Sequence, residues 1–347
     1  MKVAHLSLDP WDGVWRRNQH LAAGLVDAGA VESVLYVEPP VGGLAMRARR
    51  HRPRTGIEVV TPPLVVPRAH GGYRVLAAWL RRTVRGADVL WINDPVAGLG
   101  TLPAGLPALY DVTDDWRSMP QPAARRARIV AAEGALASAA RTIVCSEVLA
   151  ARWRERYGID AAVVRNGVDV AGVRQAAPLP LKGRPPHVIY VGTLHANRID
   201  LELVAALTTT GTVHLVGPDH LDPDARRTLV SAGARLYGAV PSARVPSWLV
   251  SADVLVCPHV VDDFTLSLDA IKAHEYLATD RPIVATPTSG FQSITAPGLA
   301  VVSPDRFADA VRAATSPLRR YPRLPPPSWQ DRTIEFASLL REQVANL

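Results

Sequence analysis

The sequence predicts an α/β protein built from two doubly wound, Rossmann-like domains that face a cleft. Short apolar runs alternate with segments of helical period through most of the 347 residues. Runs that are apolar throughout are typical of parallel strands covered by helices on both faces. The alternation stops at a stretch rich in proline and basic residues and then starts again. Two sheets follow from that restart and from the length, which is large for a single core.

The first half of the chain carries the first set of strand-like runs. Segments of helical period lie between several of them, including residues 15–29 and 123–140. Strands followed by helices in this way predict a parallel sheet with helices on both faces. We therefore assign residues 1–175 to a first Rossmann-like domain. Its predicted strands lie in KVAHLSL, SVLYVEP, GIEVVTP, ADVLWIND, PALYDVTDD, RTIVCS and AAVVRNG.

A segment rich in proline and basic residues, 176–186, has no period and predicts a linker. The alternation resumes in a second domain, which we assign to residues 187–315. A second proline-rich segment, 316–328, precedes a last helical run at 329–347. This run holds apolar residues that need a partner, so we expect it to cross back and pack on the first domain. The predicted strands of the second domain lie in HVIYVGTL, TVHLVGP, ARLYGAV, DVLVCP, RPIVATP and LAVVS.

Composition limits the classes of function. Cys145 and Cys257 each lie in an apolar run, which indicates small buried residues and not a disulfide. No Cys/His cluster in the sequence has the spacing of a zinc site, so we expect no metal. The amino terminus lacks the pattern of a signal peptide, and no run reaches the roughly 18 apolar residues of a membrane span. We therefore expect a cytoplasmic protein.

The net charge is +7, and much of it lies in residues 46–54 and 79–85. Three interpretations stay open: a solvated surface, a site for anionic lipid, and a site for nucleic acid. The second segment sets Trp79 and aliphatic residues beside three arginines, a pattern typical of a basic amphipathic helix on an anionic membrane. Peripheral contact with the inner face of a membrane is therefore one expectation. No nucleic-acid-binding module is recognisable, so nucleic acid is not expected as a partner.

One helical segment carries polar residues where a core helix is expected. In DAIKAHEYLATDRPIVATPTSG, residues 269–290, Lys272 and Glu275 are three positions apart and share a helical face. A surface ion pair is one interpretation. The other is a ligand site, because ligands of doubly wound domains bind beyond the carboxyl ends of strands. The loop after the first strand, SLDPWDGVWRRN, lacks G-x-G-x-x-G and gives little support to a dinucleotide oxidoreductase.

Four segments, in this order along the chain, resemble one enzyme family. They are VVRNGVD at 163–169, VIYVGTLHANRID at 188–200, LYGAVPSARVPSWLVSADVLVCP at 236–258 and KAHEYLATDRPIVAT at 272–286. They resemble the motifs of GT-B glycosyltransferases of the retaining family 4 type, which includes bacterial mannosyl- and glucosyltransferases of lipids and surface polymers. The resemblance implies transfer of a sugar from a UDP- or GDP-linked donor to an acceptor hydroxyl on a lipid-linked glycan, a surface polysaccharide or a natural product. It implies no metal and no other cofactor.

The resemblance also implies a donor site in the second domain. Glu275 matches a glutamate that accepts hydrogen bonds from the ribose hydroxyls, and a carboxylate suits a diol because it can accept two such bonds. Lys272 would lie near the pyrophosphate, and Arg198 would face the diphosphate as it leaves. A surface arginine is the alternative for Arg198, and ordinary turn chemistry is the alternative for Gly290. The other implied donor contacts come from Gly192, Thr193, Gly238, Val240, Ser289 and Gly290.

The residues expected on the acceptor side differ from the family's usual pattern. Many members have a histidine after the fifth strand, whereas this chain has Thr113, with Asp111, Asp114 and Asp115 around it. We expect this acidic cluster to orient the acceptor hydroxyl or to accept its proton. Capping of a helix is the alternative. Ser267 also stands where many members have a second glutamate.

The loop after the first strand supplies a second acceptor-side set, which comprises Asp12, Trp15, Arg16 and Arg17. An arginine at this edge is a candidate to bind an acidic group of the acceptor or a phosphate of the donor. The alternative is a helix start with exposed arginines. If the acidic cluster only caps a helix, the loop from Asp9 to Asp12 is the next candidate to activate the acceptor.

Two other functions stay open at this point. One is a nucleotide-sugar epimerase or phosphorylase of the same fold, which incubation with the donor alone would reveal. The other is a non-catalytic nucleotide-binding protein, since a fold does not determine a chemistry. The set of Arg198, Lys272 and Glu275 favours an enzyme, whereas Thr113 in place of histidine keeps the non-catalytic alternative open.

Overall fold

The structure is a computed structural model, and it describes residues 1–40, 46–66, 72–288, 290–324 and 326–345. The chain divides into two units. The first unit comprises Met1–Arg165 and Trp329–Leu347, and the second comprises Asn166–Ser328. None of the described helices is both long enough and apolar enough to cross a membrane.

The first unit holds an eight-stranded sheet. The strands are β1 (Lys2–Leu6), β2 (Ser33–Val37), β3 (Arg49–Arg54), β4 (Ile57–Thr61), β5 (Val89–Ile92), β6 (Ala108–Val112), β7 (Arg141–Val144) and β8 (Ala162–Val163). They lie in the order β3-β4-β2-β1-β5-β6-β7-β8, and only the pair of β3 and β4 is antiparallel among those described. Every residue of β5 and β6 is buried, as expected of strands covered on both faces.

Helices of the first unit begin and end where the local sequence favours it. They are α1 (Arg17–Asp27), α2 (Gly72–Val84), α3 (Pro95–Thr101), α4 (Ala123–Ala139) and α5 (Glu147–Tyr157). The Asp94 carboxylate starts α3 by accepting N–H bonds from Val96 at 2.9 Å and Ala97 at 3.1 Å. Ser146 caps the start of α5, and Gly158 ends that helix in the left-handed conformation.

The second unit holds a six-stranded parallel sheet. Its strands are β9 (His187–Val191), β10 (Thr212–Val216), β11 (Arg235–Leu236), β12 (Val254–Cys257), β13 (Ile283–Ala285) and β14 (Leu299–Val301). Its helices are α6 (Val170–Gln175), α7 (Leu201–Leu207), α8 (Pro223–Ser231), α9 (Val245–Ser251), α10 (Asp263–Ser267), α11 (Ile271–Leu277) and α12 (Phe307–Thr315). The strand order is β11-β10-β9-β12-β13-β14, the order of a Rossmann-type sheet.

The two sheets confirm the predicted fold class of two doubly wound α/β domains. In the first sheet β1 lies between β2 and β5, and in the second β9 lies between β10 and β12. In the first sheet the early strands are added on one side of β1, and from β5 onward they are added on its other side. The second sheet grows in the same way around β9, with the change of side at β12. The carboxyl ends of the strands at such a change of side, or reversal, are where doubly wound sheets bind ligands.

The boundary between the units lies earlier than the sequence predicts, at residue 166 and not after residue 175. Val168 and Val173 are buried in the core of the second unit with Leu249, which assigns α6 to that unit. The segment 176–186 is also not a simple linker, because the Leu179 N–H donates to the Ser251 hydroxyl at 2.7 Å. Proline-rich chain can pack along a domain surface without secondary structure, and sequence period does not detect it.

The last helix, α13 (Trp329–Ala345), belongs to the first unit and packs on α1. Gly24 makes the close approach: a Cβ there would lie 2.2 Å from the Thr333 hydroxyl oxygen. The Phe336 ring is buried with its centroid 4.8 Å from that of Trp91, which ties α13 to the sheet. Ile334 is an apolar residue of this helix that does not pack in the core, since it is 61% exposed.

Candidate functional site

Two glycines set the backbone geometry at the carboxyl ends of β9 and β10. Gly192 has a φ of 151° and Gly217 a φ of 143°, both in the region that favours glycine. A Cβ on Gly217 would lie 2.2 Å from the Gly192 carbonyl oxygen, so the two loops touch through their main chains. A Cβ on Gly192 would lie 3.2 Å from Nζ of Lys272. Gly192 therefore allows the Lys272 ammonium to lie against the main chain at this edge.

Lys272 projects from α11 toward the end of β9. Its Nζ lies 5.4 Å from the ring centroid of Tyr190, a distance that suits a cation–π contact. Burial lowers the pKa of Lys272, and the Arg198 charge lowers it further, against the opposing effects of Cys257 and Glu275. Arg198 and Lys272 are thus close enough to repel each other. A bound anion would relieve that repulsion, which makes this edge suited to a phosphate.

Arg198 lies in the loop between β9 and α7. The loop is fixed to the one after β12, because the Val260 N–H donates to the Arg198 carbonyl at 2.9 Å and Ile199 pairs with His259. The Arg198 guanidinium carbon lies 4.9 Å from the ring centroid of Phe264, a buried residue of α10. The side chain is half-buried and is held by these contacts at the reversal point of the sheet.

His259 is buried beside these two cations. Burial lowers the pKa of His259 well below its usual range, and the charges of Lys272 and Arg198 lower it further. Its ring Nε2 lies 3.3 Å from the Tyr190 hydroxyl, and its backbone N–H donates to the Thr286 hydroxyl at 3.1 Å. His259 therefore links the ends of β9, β12 and β13 through its ring and its main chain, and its neutral imidazole adds no charge. Sequence analysis did not single out this residue.

Glu275 follows Lys272 by three positions on α11 and is half-buried. Burial raises the pKa of Glu275 to about 7, although Lys272 and then His274 lower it. A carboxyl group with this pKa changes its charge near neutral pH. A ligand that donates hydrogen bonds to the carboxylate favours the ionised form, so ligand binding and ionisation of Glu275 are linked.

The segment VVRNGVD, at residues 163–169, anchors α11. The Asn166 N–H donates to the Asp269 carboxylate at 2.6 Å, and His274 lies 3.4 Å from both oxygens of that carboxylate. Gly290, with a φ of 86°, lies against Asp269, where an added Cβ would be 3.3 Å from its oxygen. Asp269 is 6% exposed and orients the helix that carries Lys272 and Glu275.

The remaining residues predicted on the donor side lie around the same strand ends. The Thr193 carbonyl accepts from the Tyr190 hydroxyl at 3.3 Å. Gly238 has a φ of 70°, and its carbonyl accepts from the Gly217 N–H at 2.9 Å. Val240 is half-buried against the core of the second unit. Ser289 lies outside the described residues.

In the first unit the structure corrects the prediction for Asp111 and Arg17. Asp111 is fully buried, and its two carboxylate oxygens accept from Nε and Nη2 of Arg17, each at 3.0 Å. Trp91 donates to the same carboxylate at 3.2 Å. Neither Asp111 as a catalytic group nor Arg17 as an acceptor contact fits this buried pair. Loss of one partner would strand the other charge in the core, which typically costs about 3–5 kcal/mol.

The predicted role of Asp115 is also corrected, because its carboxylate stabilises the fold. Its side chain is 1% exposed and lies between Arg152 and Arg156, with Arg156 bonds of 2.8 Å to each oxygen. Burial alone would raise its pKa, but the bonds from Arg156 and Arg152 hold the pKa of Asp115 at about 2. The Ser118 hydroxyl donates to it at 3.1 Å. Of the acidic cluster, Asp114 alone is half-buried with Thr113 donating to it at 3.2 Å.

A polar network lies at the carboxyl ends of β1 and β5, and sequence analysis missed its members Ser7, Asn18 and Asn93. The Asn18 amide donates to Ser7 at 3.1 Å, Asp9 at 3.2 Å and Asn93 at 2.8 Å. Asn93 in turn donates to the Thr113 hydroxyl at 3.2 Å. This network connects the loop after β1 with the loop after β6, where Asp114 lies. We call Ser7, Asp9, Asn18, Asn93 and Asp114 the first-unit site.

Asp9 has a perturbed carboxyl group. Burial raises the pKa of Asp9 to about 6; Arg16 lowers it, whereas Asp114 and Asp12 raise it. Arg16 lies 3.6 Å from Asp9 and 3.6 Å from Asp12, so it faces two acids on its own loop. Perturbed carboxyls at a switch point are candidates for chemistry. The sequence signal was the position of Asp9 in the loop after β1.

The other residues predicted on the acceptor side form the loop itself. The Asp12 carboxylate accepts from the Val14 N–H at 2.8 Å, a local turn bond. The Trp15 ring lies 5.7 Å from that of Trp11 and 5.2 Å from that of His20. Across the described parts of both units, no group of three or more His, Cys, Asp or Glu is arranged to hold a metal ion.

Two family models match the chain. The model described as Glycosyltransferase Family 4 matches residues 11–171, and the one described as Glycosyl transferases group 1 matches residues 185–316. Together they span most of both units. No curated protein matches the sequence significantly.

Solved structures match over the full length. Sucrose-phosphate synthase from Thermosynechococcus elongatus has a TM-score of 0.72 and 18% identity, over 100% of this chain and 94% of that one. An α,α-trehalose-phosphate synthase (UDP-forming) from Burkholderia vietnamiensis has a TM-score of 0.64 and 16% identity, over 99% and 95%. HepE from Anabaena, solved in complex with UDP-glucose, has a TM-score of 0.64 and 16% identity, over 100% and 98%. At these identities the matches establish the shared fold.

Proposed function

This chain belongs to the GT-B glycosyltransferases of the family 4 type, and we propose that it moves a hexosyl group from a UDP- or GDP-linked donor to an acceptor hydroxyl. The observation that carries the proposal is the grouping of Arg198, Lys272 and Glu275 at the β9–β12 reversal. Two cations and a carboxylate beside close-packed glycine main chain suit a nucleoside diphosphate. The complex of HepE with UDP-glucose supports a donor of this class.

In this proposal each of the three side chains binds a different part of the donor. Glu275 accepts hydrogen bonds from the ribose diol, for which a carboxylate is well suited. Lys272, against the Gly192 main chain, neutralises the pyrophosphate as a point charge. Arg198 faces the phosphate oxygen that gains charge as the glycosidic bond breaks. Because these cations are part of the chain, we propose that transfer needs no added metal and continues in excess EDTA.

We further propose that transfer retains the configuration at the anomeric carbon. The acceptor oxygen bonds to that carbon on the face from which the diphosphate departs, and the acceptor proton moves to the departing phosphate oxygen. The first-unit site, with Asp9 and Asp114, orients the acceptor hydroxyl. An NMR assignment of the anomeric configuration in the product distinguishes retention from inversion.

A panel of UDP, GDP, UDP-glucose and GDP-mannose tests donor binding directly. A ligand that binds only the folded chain raises its melting temperature, so one base should stabilise the protein and the other should not. No stabilisation by any of the four would contradict the proposal. Incubation with the stabilising sugar nucleotide alone should give no isomerised donor, in contrast to an epimerase.

Glu275→Gln should weaken binding of the preferred nucleotide sugar by about 1.5–3 kcal/mol, the usual range for hydrogen bonds to a charged group. The wild-type affinity should also rise with pH. The pKa of Glu275 is about 7 in the unliganded chain, and the diol lowers it by favouring the carboxylate, so binding strengthens as pH rises through 7 and then levels off. A nucleotide sugar has no phosphate that titrates in that range.

Calorimetry between pH 6 and 8 measures both effects. Glu275→Gln should give a flat pH profile, whereas Glu202→Gln, a matched change at an exposed position of α7, should keep the wild-type profile. Equal affinities for wild type and Glu275→Gln across this range would remove Glu275 from the donor site.

We also propose that α2 contacts an anionic membrane surface. Leu76 and Leu80 face the core, whereas Val75 is 46% exposed, and Arg82 of α2 and Arg85 just after α2 are also exposed. The chain should float with vesicles of phosphatidylglycerol and not with vesicles of phosphatidylcholine alone. Each arginine near such a surface contributes about 1 kcal/mol, so Arg82→Gln should weaken binding about fivefold. Equal recovery with both vesicle types would exclude an electrostatic contact.

A further inference from the structure

The first unit contains a cavity of about 640 Å³ that the proposed donor chemistry does not use. It lies among α2, α3, α4 and the carboxyl ends of β1 and β2, within the range of roughly 300–1,000 Å³ typical of small-molecule sites. Most of its wall is aliphatic or proline. The aliphatic part includes Leu6, Leu8, Leu76, Leu80, Leu99 and Ile129.

Close helix packing shapes two of the walls. A Cβ on Gly100 would lie 2.8 Å from that of Ala77, so α2 and α3 meet almost main chain to main chain. A Cβ on Gly98 would lie 2.4 Å from a methyl carbon of Ile92, so α3 also rests directly on the sheet. The cavity is therefore bounded by packed elements and is a preformed feature of the unit.

The charged residues of the cavity favour an anion. Arg74 from α2 and Arg125 and Arg128 from α4 line it, and all three are exposed. Two carboxylates also line it, so the arginines exceed them by one, and both carboxylates are oriented by hydrogen bonds from the protein. Glu38 accepts from the Trp11 N–H at 2.7 Å and from the Thr61 hydroxyl at 2.6 Å. Asp94 accepts from the first N–H groups of α3.

The cavity also reaches the first-unit site. Ser7 lines the cavity, and its hydroxyl accepts from the Asp9 N–H at 2.9 Å and donates to the Asp9 carbonyl at 2.9 Å. The cavity therefore lies beside the loop that carries Asp9. The polar end of a molecule in the cavity meets the arginines, while its apolar part contacts the aliphatic wall.

From this combination we infer that the cavity binds the acceptor, and that the acceptor is an amphipathic anion: an apolar chain that carries a phosphate beside the hydroxyl to be glycosylated. The apolar wall selects the chain, the arginines select the phosphate, and the position beside the Asp9 loop identifies the occupant as the acceptor. This inference rests on the proposed function and adds the chemical class of the second substrate.

Alkyl phosphates test the inference without knowledge of the natural acceptor. Calorimetry on the full chain should show octyl phosphate binding at least about tenfold more tightly than octanol or inorganic phosphate, a difference within the range of one charge-assisted contact. Each methylene buried in an apolar site adds about threefold to fourfold in affinity. Hexyl, octyl and decyl phosphate should therefore differ by roughly tenfold per step.

Matched variants assign the binding to this cavity. Leu99→Glu places a carboxylate on the wall at a position that is 40% exposed, and it should weaken octyl phosphate binding about tenfold or more. Ile334→Glu is the matched change on α13, away from the cavity, and should have no effect. Arg125→Gln should weaken binding severalfold, whereas Arg126→Gln, its exposed neighbour on α4 outside the lining, should not.

Three results would overturn the inference. They are equal binding of inorganic phosphate and octyl phosphate, equal binding of octanol and octyl phosphate, and an affinity that does not change with chain length. The wild-type chain-length series remains decisive if a variant fails to fold. Stabilisation by UDP or GDP, measured in parallel, separates failure of this inference from failure of the proposed function, because nucleotide binding involves the second unit.

Discussion

Replacing Arg198 by glutamine should slow sugar transfer by about 10²–10³-fold, the usual effect of removing one group that stabilises charge in a transition state. The guanidinium is held by Phe264 and by the loop pairing at His259, so it is already in place before the reaction. Charge on the departing diphosphate increases as the glycosidic bond breaks. A fixed cation therefore stabilises the transition state more than the bound donor, and donor affinity should fall by less than about tenfold.

The split between rate and affinity is the diagnostic measurement. Turnover at saturating donor and the dissociation constant from calorimetry should be measured for Arg198→Gln and Arg198→Lys. The lysine variant keeps the charge but lacks the planar fork, so it should recover part of the rate. Arg244→Gln, at an exposed position in the same unit, is the control. An Arg198→Gln enzyme with normal turnover and weakened binding would limit this residue to ground-state binding.

The fold was predictable where strands are apolar throughout. β5 and β6 read as buried runs in the sequence, and every residue in them is buried in the structure. β3 was not predicted, because its sequence RRHRPR is polar and almost wholly exposed. It forms an edge strand paired antiparallel with β4, a place that tolerates both charge and proline. The early unit boundary at residue 166 was missed because short packed segments such as α6 carry little periodic signal.

The candidate residues of the two units differed in how far sequence analysis could predict them. Lys272 and Glu275 were found because charged residues interrupted an otherwise apolar helix. Asp111 and Asp115 were misassigned because their partners come from distant positions. Arg17 is 94 residues from Asp111, and Arg156 is 41 residues from Asp115. Which carboxylate of an acidic cluster is neutralised by the fold depends on tertiary pairing, and local sequence gives no measure of it.

Asp9→Asn should lower turnover by about 10²-fold or more, in the range for a positioned carboxylate that assists a reacting hydroxyl. The ionised form orients the acceptor hydroxyl by accepting a hydrogen bond from it, so activity requires loss of the Asp9 proton. Since the pKa of Asp9 is raised to about 6, the rate should rise as pH increases through 6. Asp9→Asn should lose that acidic limb, a result that a merely structural role would not give.

Asp114→Asn gives the sharper test of the same idea. The Asp114 charge helps to raise the pKa of Asp9, so its removal should shift the acidic limb to lower pH. Asp160→Asn, at an exposed position of the first unit, should leave the limb in place.

Stability changes in the opposite direction for Asp9. A carboxyl whose folded pKa lies above the unfolded value of 3.8 stabilises the fold most at low pH and loses that contribution as pH rises through about 6. At neutral pH the ionised Asp9 therefore destabilises the fold, and Asp9→Asn should not lower the melting temperature.

Normal turnover of Asp9→Asn, or an acidic limb that persists in this variant, would assign acceptor activation to Asp114 or to the departing phosphate alone.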